Sequence, residues 1–135
     1  MTIASMNPDA LREMATRREI VKGLAGNRIH IAAIHETHIT QDKSYVVDNY
    51  RIITAASDKN ETDGIVTGRT SIVIRESPRK HFAKITRRNG RPLRVTLDRA
   101  ERKIPIRIIS TYAPCNGHTE AEKQHRWEDV KVLLN

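Results

Sequence analysis

Hydrophobic positions along this chain recur with two periods, and the switches between them divide it into short elements. Residues 1–6 (Met-Thr-Ile-Ala-Ser-Met) read as a brief strand. Pro8 and Asp9 then suit the first turn of a helix. A missing N–H costs nothing there, and a carboxylate meets the positive helix end. Leu11, Met14, Ala15, Ile20, Val21, Leu24 and Ala25 form an imperfect helical stripe, interrupted by Arg17 and Arg18, and Gly26-Asn27 supplies a stop. The apolar run of residues 29–34 (Ile-His-Ile-Ala-Ala-Ile) predicts a buried strand. Strand, helix and strand make a βαβ unit, whose crossover should be right-handed.

After Thr40 the sequence is polar until residues 50–54, a short strand. Residues 56–63 form a charged loop, and residues 64–66 with 70–74 give a strand broken around Gly68. Residues 82–86 and 93–97 predict a hairpin around Asn89-Gly90, a dipeptide suited to a type I′ turn. Leu93, Val95 and Leu97 alternate with Arg94, Thr96 and Asp98, as a half-buried strand should, and Ile104, Ile106 and Ile108 repeat the pattern. Thr119 and Glu122 have capping-box spacing before a last helix whose buried face is Trp127, Val130 and Leu133 or Leu134. There is no internal repeat, linker or low-complexity tract, so residues 1–135 are one domain or part of one.

Composition narrows the picture. The 135 residues suffice for one small core, yet 38% hydrophobic, 4% aromatic and 30% charged residues make that core lean for a sheet protein. A net charge of +8 favours a polyanionic partner. Basic residues concentrate between positions 75 and 107, and few aromatics interleave with them. That suits contact with duplex backbone phosphates better than stacking on single strands, although many of these residues also fit the solvated outer faces of a β-meander. The single cysteine, Cys115, excludes an internal disulfide and a cysteine-rich zinc site and fits a reducing, intracellular compartment. No apolar run reaches the ~18 residues of a membrane span.

The most suggestive chemistry sits where the run of residues 29–34 ends, at His35-Glu36-Thr37-His38-Ile39-Thr40. Ligands in open α/β sheets bind beyond the carboxyl ends of strands. A lone carboxylate placed there, Glu36, points to a hard cation such as Mg²⁺, which takes one or two carboxylates and fills its other positions with water and phosphate. The plainer alternative is a solvated loop acid. His35 and His38 are three apart after a strand, not the i, i+4 helical pair of a zinc protease. His118 and His125 fit a solvated helix surface, Asn7 fits a helix cap, and Tyr112 fits a core aromatic with a wet hydroxyl.

Three segments, in order, carry a resemblance to a known family. They are residues 3–12 (Ile-Ala-Ser-Met-Asn-Pro-Asp-Ala-Leu-Arg), residues 31–40 and residues 106–117 (Ile-Arg-Ile-Ile-Ser-Thr-Tyr-Ala-Pro-Cys-Asn-Gly). Together they resemble the opening strand and turn, the strand ending in Gln-Glu-Thr, and the strand ending in Val-Tyr-Ala-Pro-Asn of the endonuclease/exonuclease/phosphatase family. Thr37-His38-Ile39-Thr40 is similar to the Thr-His-Leu-Thr often found in its LINE-type retrotransposon endonucleases. Departures are His35 for the Gln, Met6 for a Trp or Leu, Pro8-Asp9-Ala10 for Val-x-Gly, and the insertion of residues 67–69.

The resemblance implies an α/β fold, the N-terminal half of the DNase I-like sandwich with a mixed β-sheet and flanking helices, truncated. It implies Mg²⁺ (or Mn²⁺) held by Glu36 with Asn7 and Asp9, and Tyr112 on phosphate, these residues converging at one sheet edge. Neither the family's Gly-Asp-Phe-Asn nor its terminal Ser-Asp-His occurs among the 135 residues. The expected function is therefore a Mg²⁺-dependent endonuclease domain, incomplete and inactive alone, nuclear if retrotransposon-derived. The alternative is a non-enzymatic basic remnant that binds nucleic acid or protein; a relative acting on phosphoinositides or sphingolipids fits the charge less well. A half-domain should also leave one sheet face exposed, marginally stable and open to a covering partner.

Overall fold

A computed structural model describes residues 1–6, 14–35, 42–55, 70–76, 80–87, 93–99, 105–111 and 119–134. The chain is mixed α/β, mostly strands in two sheets. Its elements run β1 (Ile3–Met6), α1 (Met14–Gly26), β2 (Ile31–His35), β3 (Lys43–Val47), β4 (Tyr50–Ala55), β5 (Thr70–Arg75), β6 (Lys80–Arg87), β7 (Leu93–Arg99), β8 (Ile106–Ser110) and α2 (Glu120–Leu134). One sheet has the order β1-β2-β5-β4-β3, and the other is the meander β6-β7-β8. β1 and β2 are parallel neighbours joined through α1, as the βαβ pattern predicts, and every other pair is antiparallel.

Alternation along the strands sorts the side chains into two cores. Val21 and Leu24 of α1 pack on Ala32, Ile34, Val47, Tyr50, Ile52 and Val73. On the opposite face Ile31, Ile53, Ala55, Ile72 and Ile74 meet Leu93, Val95 and Leu97 of the meander. Each such aliphatic side chain removed from water contributes roughly 1.5–3 kcal/mol before entropy is counted. The structure thus corrects the expectation of an exposed sheet face, because the meander itself covers it.

α2 lies against the outer face of the meander through its last turn. Leu133 is 2% exposed, and its carbonyl accepts a bond of 2.7 Å from Nη1 of Arg94, which points outward from β7. A guanidinium on a C-terminal carbonyl satisfies one orphan acceptor and suits the negative helix end. The layer order is therefore α1, five-stranded sheet, meander, α2. Trp127 was expected on the buried face of this helix but is 54% exposed. Six positions at 100° per residue set it about 120° round the helix from Leu133. The capping box forms as expected: the Thr119 amide donates to Oε2 of Glu122 at 2.8 Å, and the Glu122 amide to Oγ1 of Thr119 at 3.2 Å.

Two details differ from the sequence pattern. β3 is a strand where only a polar stretch was expected. Tyr45 and Val47 face the α1 core, and Val47 pairs with Tyr50 across the two-residue turn Asp48-Asn49. The β6–β7 turn lies outside the described residues. Its flanking pair Arg87↔Leu93 leaves five intervening positions, 88–92, one more than an in-register two-residue turn on Asn89-Gly90 would leave.

The end of α1 is a Schellman motif. The Ile29 amide reaches the Leu24 carbonyl at 2.9 Å, the Arg28 amide reaches that of Ala25 at 3.1 Å, and Ile29 packs on the Leu24 core. The left-handed residue is Arg28, at φ 54°, two positions after the expected Gly26 stop. A non-glycine residue there carries strain of about 1–2 kcal/mol. Arg28→Gly is expected to raise the unfolding free energy by about 0.5–1 kcal/mol in urea titration, the relieved strain less the extra backbone entropy glycine loses.

Candidate functional site

Strand pairing brings three chain segments to one edge of the structure. Met6, the last residue of β1, pairs with Ile34, and His35, the last of β2, pairs with Thr70, the first of β5. Oγ1 of Thr70 donates to the Ile34 carbonyl at 3.3 Å and is hydrogen-bonded to Oγ of Ser110, the last residue of β8. A hydroxyl has one proton, so Thr70 gives its own to the carbonyl and receives that of Ser110. Both hydroxyls are buried. This relay ties the meander to the main sheet where β1, β2 and β8 end. Nε2 of His35 lies 3.3 Å from Oγ of Ser5, which adds a side-chain link between β1 and β2.

The residues that follow these strand ends in sequence are Asn7 after β1, Glu36 after β2, and Tyr112 one beyond Thr111 after β8. Asn7, Asp9, Glu36 and Tyr112 themselves lie outside the described residues, as do Cys115, His38 and His118. The strands that carry three of the expected site positions therefore share one edge. Among the described residues no group of three or more His, Cys, Asp or Glu side chains could hold a metal ion. The donor set expected from sequence is a carboxylate pair and an amide, all hard oxygen ligands suited to Mg²⁺ or Mn²⁺.

Thr70 and Ser110 were not singled out in the sequence. The signal was there: each is the polar end of an inward alternation, Thr70-Ile72-Ile74 and Ile106-Ile108-Ser110. An inward hydroxyl at a strand end asks for a partner, and here each is the other's.

Among the described residues, the basic side chains between positions 75 and 107 do not share one face. Arg87 is turned inward between the sheets, its Nε donating to the Thr54 carbonyl at 2.9 Å and its Nη2 to the Lys43 carbonyl at 3.4 Å, with Asp42 at 3.7 Å. Arg94 is committed to Leu133. Lys84 and Arg107 are exposed, and both pair with Thr96. They therefore stand in one row across the outer face of the meander, about 10 Å apart by strand spacing. Arg75 lies at the opposite end of the main sheet, paired with Tyr50. His125 is exposed on α2, as its sequence setting suggests. No helix among the described residues is long and apolar enough to cross a membrane. The chain matches no protein-family model and no curated protein.

The hydroxyl relay gives a direct expectation. Thr70→Val should lower stability by about 1–3 kcal/mol, because it strands the buried Ser110 hydroxyl. Thr70→Val with Ser110→Ala should cost less than the sum of the two single changes, as measured by a double-mutant cycle in urea.

Proposed function

We propose that this chain carries the opening part of a DNase I-like sandwich of the endonuclease/exonuclease/phosphatase type, resembling LINE-type retrotransposon endonucleases, and that it binds nucleic acid and a divalent cation. The observation that carries this reading is the shared edge where β1, β2 and β8 end, immediately before the segments with Asn7, Glu36 and Tyr112. The helix–sheet–sheet–helix layering supports it.

In this reading Glu36 holds the cation, Asn7 and Asp9 order its surroundings, and the Tyr112 hydroxyl donates to a phosphate oxygen. Mg²⁺ or Mn²⁺, when bound, supplies charge stabilisation at the scissile phosphate. The groups that position a water are absent, since the 135 residues contain neither Gly-Asp-Phe-Asn nor Ser-Asp-His. Catalytic groups that act together fail together, so binding should outlast cleavage. The row Lys84–Thr96–Arg107 supplies phosphate contacts that need no metal. That row also favours the second reading, a basic module that binds nucleic acid without chemistry.

Metal binding separates the two. Mn²⁺ added to the 15N-labelled chain should broaden the amide signals of Met6, His35 and Thr111, and Glu36→Gln should abolish the effect. Broadening that survives Glu36→Gln, or that never appears at this edge, would leave only the basic module. Supercoiled plasmid should stay intact with Mg²⁺ present; efficient nicking lost in Glu36→Gln would overturn the assignment of an incomplete site.

Duplex binding should weaken linearly in log–log plots against salt, and Lys84→Gln and Arg107→Gln should each flatten the slope by about one. A slope indifferent to both substitutions would remove the meander row from the interface.

A further inference from the structure

At the end of the main sheet opposite the strand-end edge, a cleft of about 400 Å³ opens between the end of α1, the β3–β4 turn and the end of β5. Its floor is apolar, formed by Val21 and the ring of Tyr50, whose hydroxyl is spent on the Ile29 carbonyl at 2.7 Å. Its rim carries Lys22, Arg28 and Arg75 against one carboxylate, Asp48. None of these three cations forms a salt bridge among the described residues. His30 also lines the cleft, and its Nδ1 accepts the Thr2 amide at 3.0 Å. That bond engages the ring, so His30 is not counted among the charged groups of the rim. The cleft is thus a concave space with a net charge of about +2 from three cations and one anion.

We propose that this cleft binds a phosphate group. Three cationic side chains held around one cavity repel one another, and an anion of two negative charges relieves that repulsion while satisfying several donors at once. Guanidinium groups at two positions provide the planar fork that matches phosphate oxygens. The opposing influence is the negative end of α1, worth about half a charge. It is muted because the carbonyls of Gly23, Leu24 and Ala25 already accept the amides of Asn27, Ile29 and Arg28.

Backbone conformation points the same way. Arg28 at φ 54° and Asp48 at φ 49° are the two non-glycine residues with positive φ among the described residues, and both line this cleft. Glycine would serve either turn with less strain, and such strain concentrates at functional positions. Arg28 and Arg75 line the same cleft. The volume falls within the range of small-ligand sites. The phosphate can come from a free phosphate or nucleotide, or from a nucleic-acid backbone. This proposal does not rest on the assignment of the strand-end site.

The test is an NMR titration of the full 135-residue chain with inorganic phosphate, with chloride added to the reference at equal ionic strength. Saturable shifts are expected at the amides of Arg28, His30, Asn49 and Arg75. Arg75→Gln and Arg28→Gly should each weaken binding about tenfold. Lys131→Gln, which removes one charge from exposed α2, should leave the titration unchanged. Arg28→Gly is the informative variant, because it should lose affinity while gaining stability, which separates a binding loss from unfolding. Parallel titrations with adenosine monophosphate and a short duplex distinguish the sources: shifts with either one support the site and name its supplier. Shifts that chloride reproduces, or that persist in both arginine variants, would overturn it.

Discussion

Strand β5 is buried on both faces, and that double burial is the constraint from which the rest of the architecture follows. Ile72 and Ile74 point to one side and Ser71 and Val73 to the other, all fully inaccessible. β5 pairs with β2 and with β4, so its own hydrogen bonds are satisfied within the sheet. Its side chains must then be covered twice. α1 provides one cover with Val21 and Leu24, and the meander provides the other with Leu93, Val95 and Leu97. A chain of this length with few aromatics achieves this with aliphatic side chains in two thin layers, not with one thick core.

Polar groups then fix how the layers sit. The Thr70–Ser110 relay, the Arg87 guanidinium on the Thr54 and Lys43 carbonyls, and the Arg94 contact with Leu133 each join different layers. Apolar packing alone is non-directional, whereas these bonds specify register and angle. Their use has a consequence for charge. Two arginines that sequence position assigns to a nucleic-acid surface are structural, and among the described side chains of the 75–107 segment the exposed cations are Lys84 and Arg107 on the meander and Arg75 at the distant cleft.

The two ends of the main sheet consequently differ in character. At one end, strand termini from both sheets meet over a buried hydroxyl pair, with chain segments rich in Asn, Asp, Glu and Tyr following them in sequence. At the other, three cations without a salt bridge among the described residues and two strained turn residues surround an open cleft. Roughly five residues of β-strand, about 17 Å, separate them, so charge at one is largely screened from the other at physiological salt.

What the sequence by itself determined was whatever depends on neighbours within a few residues. The Thr119–Glu122 capping box closes over three positions, the alternations in β7 and β8 need only a period of two, and the βαβ start follows from an apolar run on each side of a helical stripe. β3 was equally local, since Tyr45 and Val47 alternate before an Asp-Asn turn, yet its short apolar content hid it. Glu36 was legible as a candidate from its place after a buried strand, whereas site roles for Asn7, Asp9 and Tyr112 came from family resemblance alone. Tertiary structure alone decided the rest. It brought Thr70 to Ser110 and Arg94 to Leu133 across 40 and 39 residues, turned Arg87 inward, left Trp127 outside, and gathered Lys22 of α1 and Arg28 just after it with Arg75 of β5. Such meetings depend on which face each layer covers, and no local period encodes that.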